Sequence, residues 1–354
     1  MTAMSGATIH QVAKAAGVSP STVSNFLNGR PGRMLPETRA RVEEAIRHLG
    51  YRPNRAARQL RTGRVQVVGL VVPSVANPFW GAFALHLEGA ALAAGYHVLL
   101  CNSARDPERE RAYIDELWAD GIRGVVLCSS LPSLDHVLPL VEQGLNLVAF
   151  DRTAQAGDPS RMVNISVDNV IGAQLATRHL LELGHRRIAF VSGALRSVNR
   201  RERFRGFRDA LESAGLSPDE AIVWSGAADE PYGDLDVAGL GRRAAADLMR
   251  EDDPPTAIVA INDMCALGVS AGVRDAGLRV GQDVSVVGFD DIVLADLAAP
   301  PLTTVRQPMA DMAAAAFTHL RECVESDEPA TGRSLLMRPE LVVRGSTGPV
   351  PPPR

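Results

Sequence analysis

The chain has 354 residues, more than the roughly 100–200 of one domain, so two or three structural units are expected rather than one small module. With 46% hydrophobic and 22% charged residues, the composition excludes a mainly disordered, collagen-like or coiled-coil chain. The net charge of −4 conceals a split, because residues 1–64 hold eleven basic and three acidic side chains, a net +8, while the remainder carries −12; a basic head on an acidic body favours a polyanionic partner for the head.

In chain order, Thr8 is expected to cap a first helix whose apolar side is Ile9, Val12, Ala13 and Ala16, and Gly17 ends it. Ser19 caps a second helix, Pro20 fits its first turn, and Val23, Phe26 and Leu27 turn inward. Ser21, Asn25 and Asn28 are left on the outer side at i, i+4 and i+7. Helix, glycine turn, helix is the unit that lays its second helix in the DNA major groove, where Ser and Asn can hydrogen-bond base edges. A small bundle with an ordinary polar face is the competing reading, and the +8 charge weighs against it. A third helix follows from Pro36 to Leu49, with Arg39, Arg41 and Arg47 facing outward. Asn54 to Leu60 holds good helix formers and Arg55 and Arg58 but almost no apolar face, so it is expected to fold only against a partner.

From Val65 the pattern becomes short apolar strands alternating with amphipathic helices. Strands are predicted at 67–72, 96–100, 124–127 and 147–150, then in a second series at 187–191, 221–224, 257–260 and 284–289. Two α/β halves with parallel sheets are implied. Ligands of such sheets lie beyond the carboxyl ends of the strands, where the polar residues are Asn102, Ser129, Asp151, Asn262, Asp263, Asp290 and Asp291. The tail after Gly345, rich in Pro and Gly, is expected to be disordered.

No GxSxG, HExxH, Walker-type glycine loop or CxxC is present, so neither an enzyme nor a metal or cofactor is expected. Cys101, Cys128, Cys265 and Cys323 sit far apart in apolar contexts and read as small core residues. The opening residues lack a signal-peptide stretch and no run approaches the roughly 20 apolar residues of a membrane span, so a cytoplasmic protein is expected. A transport binding protein would share the body but would carry a signal peptide in place of the basic head.

The stretch from Thr8 to Asn28, TIHQVAKAAGVSPSTVSNFLN, resembles the head of the lactose-repressor/galactose-repressor family of bacterial transcription factors. The likeness continues in order through Thr38-Arg39, Leu49-Gly50-Tyr51-Arg52-Pro53-Asn54, Val72-Pro73, Asn77-Pro78-Phe79, Asp168-Asn169, Gly184-His185, Arg203 before Gly206-Phe207, Asn262-Asp263, Val286 to Asp291 and Pro301 to Val305. The resemblance implies a homodimer that reads a near-palindromic DNA operator, and a body like periplasmic sugar-binding proteins with a small-molecule effector between its subdomains. The implied fold is a small all-α helix-turn-helix head (1–53), a hinge helix and linker (54–64), an α/β body of two parallel-sheet subdomains (65–345) and a disordered tail (346–354). Within the body the expected division is 65–167 plus 292–323 against 168–291 plus 324–345.

Carried over by position, the DNA-binding residues are Thr8, Ser19, Pro20, Ser21, Thr22, Ser24, Asn25, Asn28, Tyr51, Asn54, Arg55, Ala57, Arg58 and Leu60, with Ala57 and Leu60 matching the hinge residues that enter the minor groove. The effector-binding residues are Phe79, Trp80, Ser129, Asp151, Arg203, Asn262 and Asp290. This chain departs from the family where Asn25 replaces a usual arginine, where Pro20 offers no donor, and where Leu35 replaces a polar cap at a cost of about 1 kcal/mol or less. Relatives respond to sugars, phosphorylated sugars, nucleosides, purines or a partner protein; the set here suits a polyhydroxylated ring. Several of these residues have plainer alternatives: Asn262 and Asp168 as helix caps, Asp290 and Asp291 as loop residues, Arg203 as a surface helix residue, and Phe79 and Trp80 as core aromatics.

Overall fold

The computed structural model describes residues 7–27, 34–51, 66–226, 236–326 and 332–352. The chain divides into one unit ending at Val65 and a second beginning at Gln66. The expected hinge over 54–64, with Asn54, Arg55, Ala57, Arg58 and Leu60, lies outside the described residues, as does Asn28.

In the first unit, α1 (Ile9–Ala16) starts at a capping box in which Thr8 accepts from the Gln11 amide while the Gln11 side chain accepts from Thr8 N–H. Gly17 closes it with φ 65°, a conformation that a side chain disfavours. In α2 (Pro20–Leu27) the Ser19 hydroxyl accepts from Thr22 N–H, the capping role expected of it. In α3 (Pro36–Leu49), Leu35 makes no side-chain cap, as its chemistry dictates, and Pro36 takes the first turn. Val12, Ala13, Ala16, Val23, Val42 and Ala45 form a small core against which Ile9, Phe26, Leu27, Ile46 and Tyr51 pack.

The second unit contains two six-stranded sheets. The first runs β11 (Ser334–Met337), β5 (Val163–Val167), β4 (Asn146–Phe150), β3 (Gly124–Leu127), β1 (Val67–Val72) and β2 (His97–Asn102) in spatial order, all parallel. The second runs β12 (Glu340–Val342), β10 (Thr303–Arg306), β9 (Ser285–Asp290), β8 (Ala257–Ala260), β6 (Ile188–Val191) and β7 (Ile222–Trp224), with only β12 antiparallel. Each sheet therefore repeats one doubly wound order, which opens a crevice beyond the carboxyl ends of its strands. Helices α4 (Pro78–Ala93), α5 (Pro107–Ala119) and α6 (Leu138–Glu142) follow strands of the first sheet. Helices α7 (Asn169–Glu182), α8 (Val198–Ser213), α9 (Val237–Leu248), α10 (Asp263–Asp275) and α11 (Val293–Leu297) belong with the second.

The expected division of the body is corrected at its end. Residues 303–306 are a strand of the second sheet, α12 (Met309–Glu325) packs on α4, β3 and β4 of the first, 334–337 returns to the first sheet and 340–342 to the second. The chain thus crosses between subdomains three times, near 168, 308 and 338. Ladder partners far away in sequence decide the membership of such short strands, and local periodicity does not contain them. Two of the four thiols, Cys128 and Cys265, are buried, while Cys101 and Cys323 are half-buried; all four are free.

The tail is also corrected, because residues 346–352 are docked. Ser346 donates to Val286 O at 2.6 Å and accepts from Thr303 N–H at 2.8 Å, and Val350 N–H donates to Leu183 O at 3.1 Å. His185, fully buried, reaches Gly348 O (3.0 Å) and Ser285 Oγ (3.0 Å) through Nε2 and Thr256 Oγ1 (2.9 Å) through Nδ1. A carbonyl oxygen can only accept, so Nε2 carries a proton. Burial holds its pKa below the usual histidine value, with His179 adding to the effect. Below about pH 6.5 the unfolded chain therefore takes up protons that the folded one resists, and stability contributed here falls as pH falls. Acidification from pH 7 to pH 5 should loosen the tail first: hydrogen exchange at the Gly348 and Val350 amides, corrected for intrinsic rates, should accelerate several-fold. Unchanged protection at pH 5 would remove His185 as the clasp.

Candidate functional site

On the head, α2 exposes Pro20, Ser21 and Asn25 and buries Val23 and Ser24. Ser21 and Asn25 thus share the outer face, one helical turn apart. Ser19 Oγ lies 2.7 Å from Ser21 Oγ and 2.8 Å from Thr22 Oγ1, so the start of the helix presents linked hydroxyls, the half-buried Thr22 included. Thr8 is exposed at the start of α1. Tyr51 is half-buried against the head core, and Ser24, at 9% exposure, lies beside the buried Val23. Arg39 lies over the Phe26 ring at 5.9 Å and pairs with Glu43, which fixes one basic side chain beside α2.

In the body, the strand ends carry the second constellation. Asp151 follows β4, Asp290 ends β9 and Asp291 follows it, at φ 63°, 124° and 57°, conformations that L residues adopt rarely and at a cost of order 1–3 kcal/mol each. Asp151 Oδ2 accepts from Asn199 Nδ2 at 2.6 Å, across from the first subdomain to α8 of the second. Asp290 Oδ1 accepts from Gln307 Nε2 at 2.8 Å, with Arg203 Nη2 at 3.8 Å. Arg203 is buried on α8, stacks 3.6 Å from the centroid of Phe289, and donates to Asn169 Oδ1 (2.8 Å) and Ile261 O (2.7 Å). It is a buried residue, not a surface one.

Burial pushes the Asp290 carboxyl well above the usual carboxylate range; Asp263 and Asp151 add to this and Arg203 opposes it. The nearness of Asp151 to Asp290 brings the two subdomains' carboxylates into one field. Asp263, also fully buried, is raised to about 6, chiefly by desolvation. Its role is structural: Oδ1 accepts from Thr304 Oγ1 (2.5 Å) and Oδ2 from Ile292 N–H (2.9 Å), which anchors the turn after Asp291.

Among the remaining expected effector residues, Asn262 spends Oδ1 on capping α10, accepting from Cys265 N–H at 2.9 Å, so only its amide nitrogen is left for a ligand. Asp168 is a cap, as its plainer reading had it, accepting from Ile171 N–H. Phe79 and Trp80 are buried in an aromatic cluster, their rings 4.8 Å apart and Trp80 6.3 Å from Phe150, so they belong to the core of the first subdomain. Trp80 Nε1 and Ser129 Oγ are nonetheless buried without a hydrogen-bond partner among the described residues. Native proteins seldom leave such atoms unpaired, and each marks a place where a ligand hydroxyl or water would be satisfied.

Four residues escaped the sequence reading. Arg152 is fully buried, with Nη2 on Asp158 (3.1 Å) and Pro132 O (3.3 Å) but Nε and Nη1 unpaired among the described residues. Gln307 follows β10 and keeps Oε1 unpaired. The strand-end rule would have found both, since Arg152 is adjacent to Asp151. Asn169 and Asn199, at the starts of α7 and α8, carry no signal in the helical pattern and emerge only from the fold. No group of three or more potential metal-ligating side chains occurs among the described residues.

Comparison with known proteins agrees with this division. Residues 8–54 match the family described as bacterial regulatory proteins, lacI family, and residues 177–347 match the periplasmic binding protein-like domain. The HTH-type transcriptional regulator DegA of Bacillus subtilis (strain 168) is 34% identical over 97% of this chain and 98% of its own. A crystal structure of the Lac repressor dimer bound to operator and the anti-inducer ONPF superimposes with a TM-score of 0.82 at 27% identity, covering 97% of this chain and 100% of that one. A transcriptional regulator CelR–cellobiose complex matches with a TM-score of 0.67 at 33% identity over 96% of this chain and 99% of that one.

Proposed function

Because the chain belongs to the lacI family of DNA-binding transcriptional regulators, we propose that it is a homodimeric repressor whose hold on a near-palindromic operator is set by a carbohydrate bound between the two subdomains of its body. The observation that carries the effector reading is the meeting of opposed groups, Asp151 after β4 of the first sheet with Asp290 at the end of β9 of the second and Arg203 on α8, all buried and each backed by an amide side chain. Carboxylates and the Gln307 Oε1 accept, the guanidinium, the Trp80 indole, Arg152 and the Asn262 amide nitrogen donate, and the Ser129 hydroxyl does either. A polyhydroxylated ring offers matching hydroxyls around its rim. The cellobiose complex of a relative points the same way.

Dimer formation has its own support in exposed apolar side chains. On α4 and the edge strand β2, Leu85, Leu92, Leu99 and Leu100 face outward, as do Val293 and Leu297 on α11, and a partner copy would cover them. The solved Lac repressor is a dimer. Action on an operator puts the protein in the cytoplasm, and among the described residues no helix is long and apolar enough to cross a membrane.

The test begins with selection of bound duplexes from a random DNA library, followed by titration at several salt concentrations with and without sugars that raise the melting temperature. A palindromic consensus and a sugar-dependent change in affinity are expected. Asn25→Ala should then cost about 1–3 kcal/mol on the preferred operator and relax one position in each half-site, because Asn25 stands exposed beside Ser21 on α2. An equal loss on all sequences would mean that Asn25 only positions the head, and no sequence preference at all would overturn operator recognition.

A further inference from the structure

The two subdomains touch where the segment after β4 and the loop after β3 meet the first turns of α8. Thr153 Oγ1 donates to Glu202 Oε1 at 2.6 Å, and Val198 N–H donates to Ser130 O at 2.8 Å. The other carboxylate oxygen of Glu202 accepts from Asn169 Nδ2 at 3.1 Å, and Asn169 Oδ1 accepts from Arg203 Nε at 2.8 Å. The polarity of this chain of bonds is fixed from one end. A guanidinium can only donate, so Asn169 must give Arg203 its oxygen and Glu202 its NH2; Glu202 then accepts on both oxygens, and Thr153 must donate. Gln155 Nε2, 3.3 Å from Thr153 Oγ1, supplies a proton to that hydroxyl and reinforces the same direction.

We propose that Thr153, Glu202, Asn169 and Arg203 form a latch between the subdomains, in which Glu202 and Asn169 are positioning residues that tie the orientation of Arg203 to closure of the cleft. A ligand that draws Arg203 away from Asn169 leaves the amide held at its nitrogen alone, shared among Glu202, Val167 O (3.3 Å) and Ser166 Oγ (3.4 Å), and so loosens the hold on Glu202 and through it on Thr153. Coupling of this kind needs an element with two arrangements, and the latch supplies one, with Arg203 on the Asn169 oxygen or drawn away from it. Only this last step rests on Arg203 as an effector ligand; the latch itself exists without ligand and is tested without it.

Val198 is the reporter. It is the first residue of α8, where an amide has no acceptor within its own helix, so its protection depends on Ser130 across the cleft. In ligand-free protein, Thr153→Val keeps the shape and removes the donor; exchange at the Val198 amide should rise about tenfold while Phe207 and the rest of α8 stay protected. Thr153→Ser should leave it unchanged. Glu202→Gln has to offer one NH2, so it should give a smaller rise than Thr153→Val. Asn169→Ala should reproduce the rise seen for Thr153→Val, and the double variant should add little to either, because the bonds act in series. Unchanged Val198 exchange in Thr153→Val, an equal rise in Thr153→Ser, or loss of protection along all of α8 would overturn the latch. If Arg203 proves not to hold a sugar while Val198 responds as described, the effector reading fails and the latch stands.

Discussion

Arg203→Ala should abolish the response of operator binding to sugar and lower stability by about 3–5 kcal/mol, the usual cost of removing one partner from a buried charged pair. Four interactions end together: the 3.8 Å approach to Asp290, the bonds to Asn169 and Ile261 O, and the stacking on Phe289. Asp290→Asn should abolish the response as well, yet with a smaller loss of stability, because the amide keeps the shape of the side chain and escapes the burial that disfavours the charged carboxylate. The sign follows from linkage. A carboxyl with a raised folded pKa binds its proton more tightly when folded, so its contribution is fullest at acid pH and declines as pH rises past the unfolded value toward the folded one. Urea unfolding at pH 5 and pH 8 should accordingly show a flatter pH dependence in Asp290→Asn than in the parent. Operator titrations in the presence of a sugar identified by thermal shift supply the second readout. A normal sugar response in either folded variant would remove that residue from the effector site.

Gly268→Ala should be destabilising despite the better helix propensity of alanine. Helices α9 and α10 pack backbone to backbone: a Cβ at Gly268 would run into Ala238 O, one at Gly241 into Cys265 O, and one at Gly272 into Arg242 O. Carbonyl oxygens cannot rotate aside as a side-chain end can. The helices would have to part, loosening the fully buried Ala244, Ala245 and Val269 around them. Alanine gains about 1 kcal/mol over glycine in a helix, whereas overpacking here should cost about 3 kcal/mol, so the clash decides the sign. At Gly89 on α4 an added Cβ meets nothing within 4 Å, and Gly89→Ala should stabilise the chain by about 0.5–1 kcal/mol. Urea midpoints of the two variants should therefore move in opposite directions; a neutral Gly268→Ala would show that the two helices can separate without penalty.

What could be read from the sequence follows from the range of the forces involved. Capping and periodicity act within one turn of chain, and they locate α1 at Thr8, α3 at Pro36 and β1 at Val67–Val72. The ends of parallel strands, where a doubly wound sheet leaves polar groups, pointed to Asp151 and Asp290, whereas Arg203, on a helix, came only from the family resemblance. The exchange of β10, β11 and β12 between sheets is invisible locally, since each strand has only three or four residues and its ladder partner lies far away in sequence. The tail misleads for a related reason: its prolines prevent helix and strand, but Ser346, Gly348 and Val350 bond to groups on β9, α7 and the turn after α7 that no local pattern can anticipate. Asn169 and Asn199 look like ordinary first-turn helix residues until the other subdomain supplies their partners.

The three crossings of the body bear on how the protein is made. Both sheets take an edge strand from residues 334–342, β11 for one and β12 for the other, so during synthesis neither subdomain can complete its edge before that stretch has been made. The helical unit at the start is contiguous and needs nothing from downstream. A nascent chain can therefore display a folded head while its body is still incomplete. Truncation ahead of Ser334 strips an edge strand from each sheet, so it would leave a complete head attached to an incomplete body.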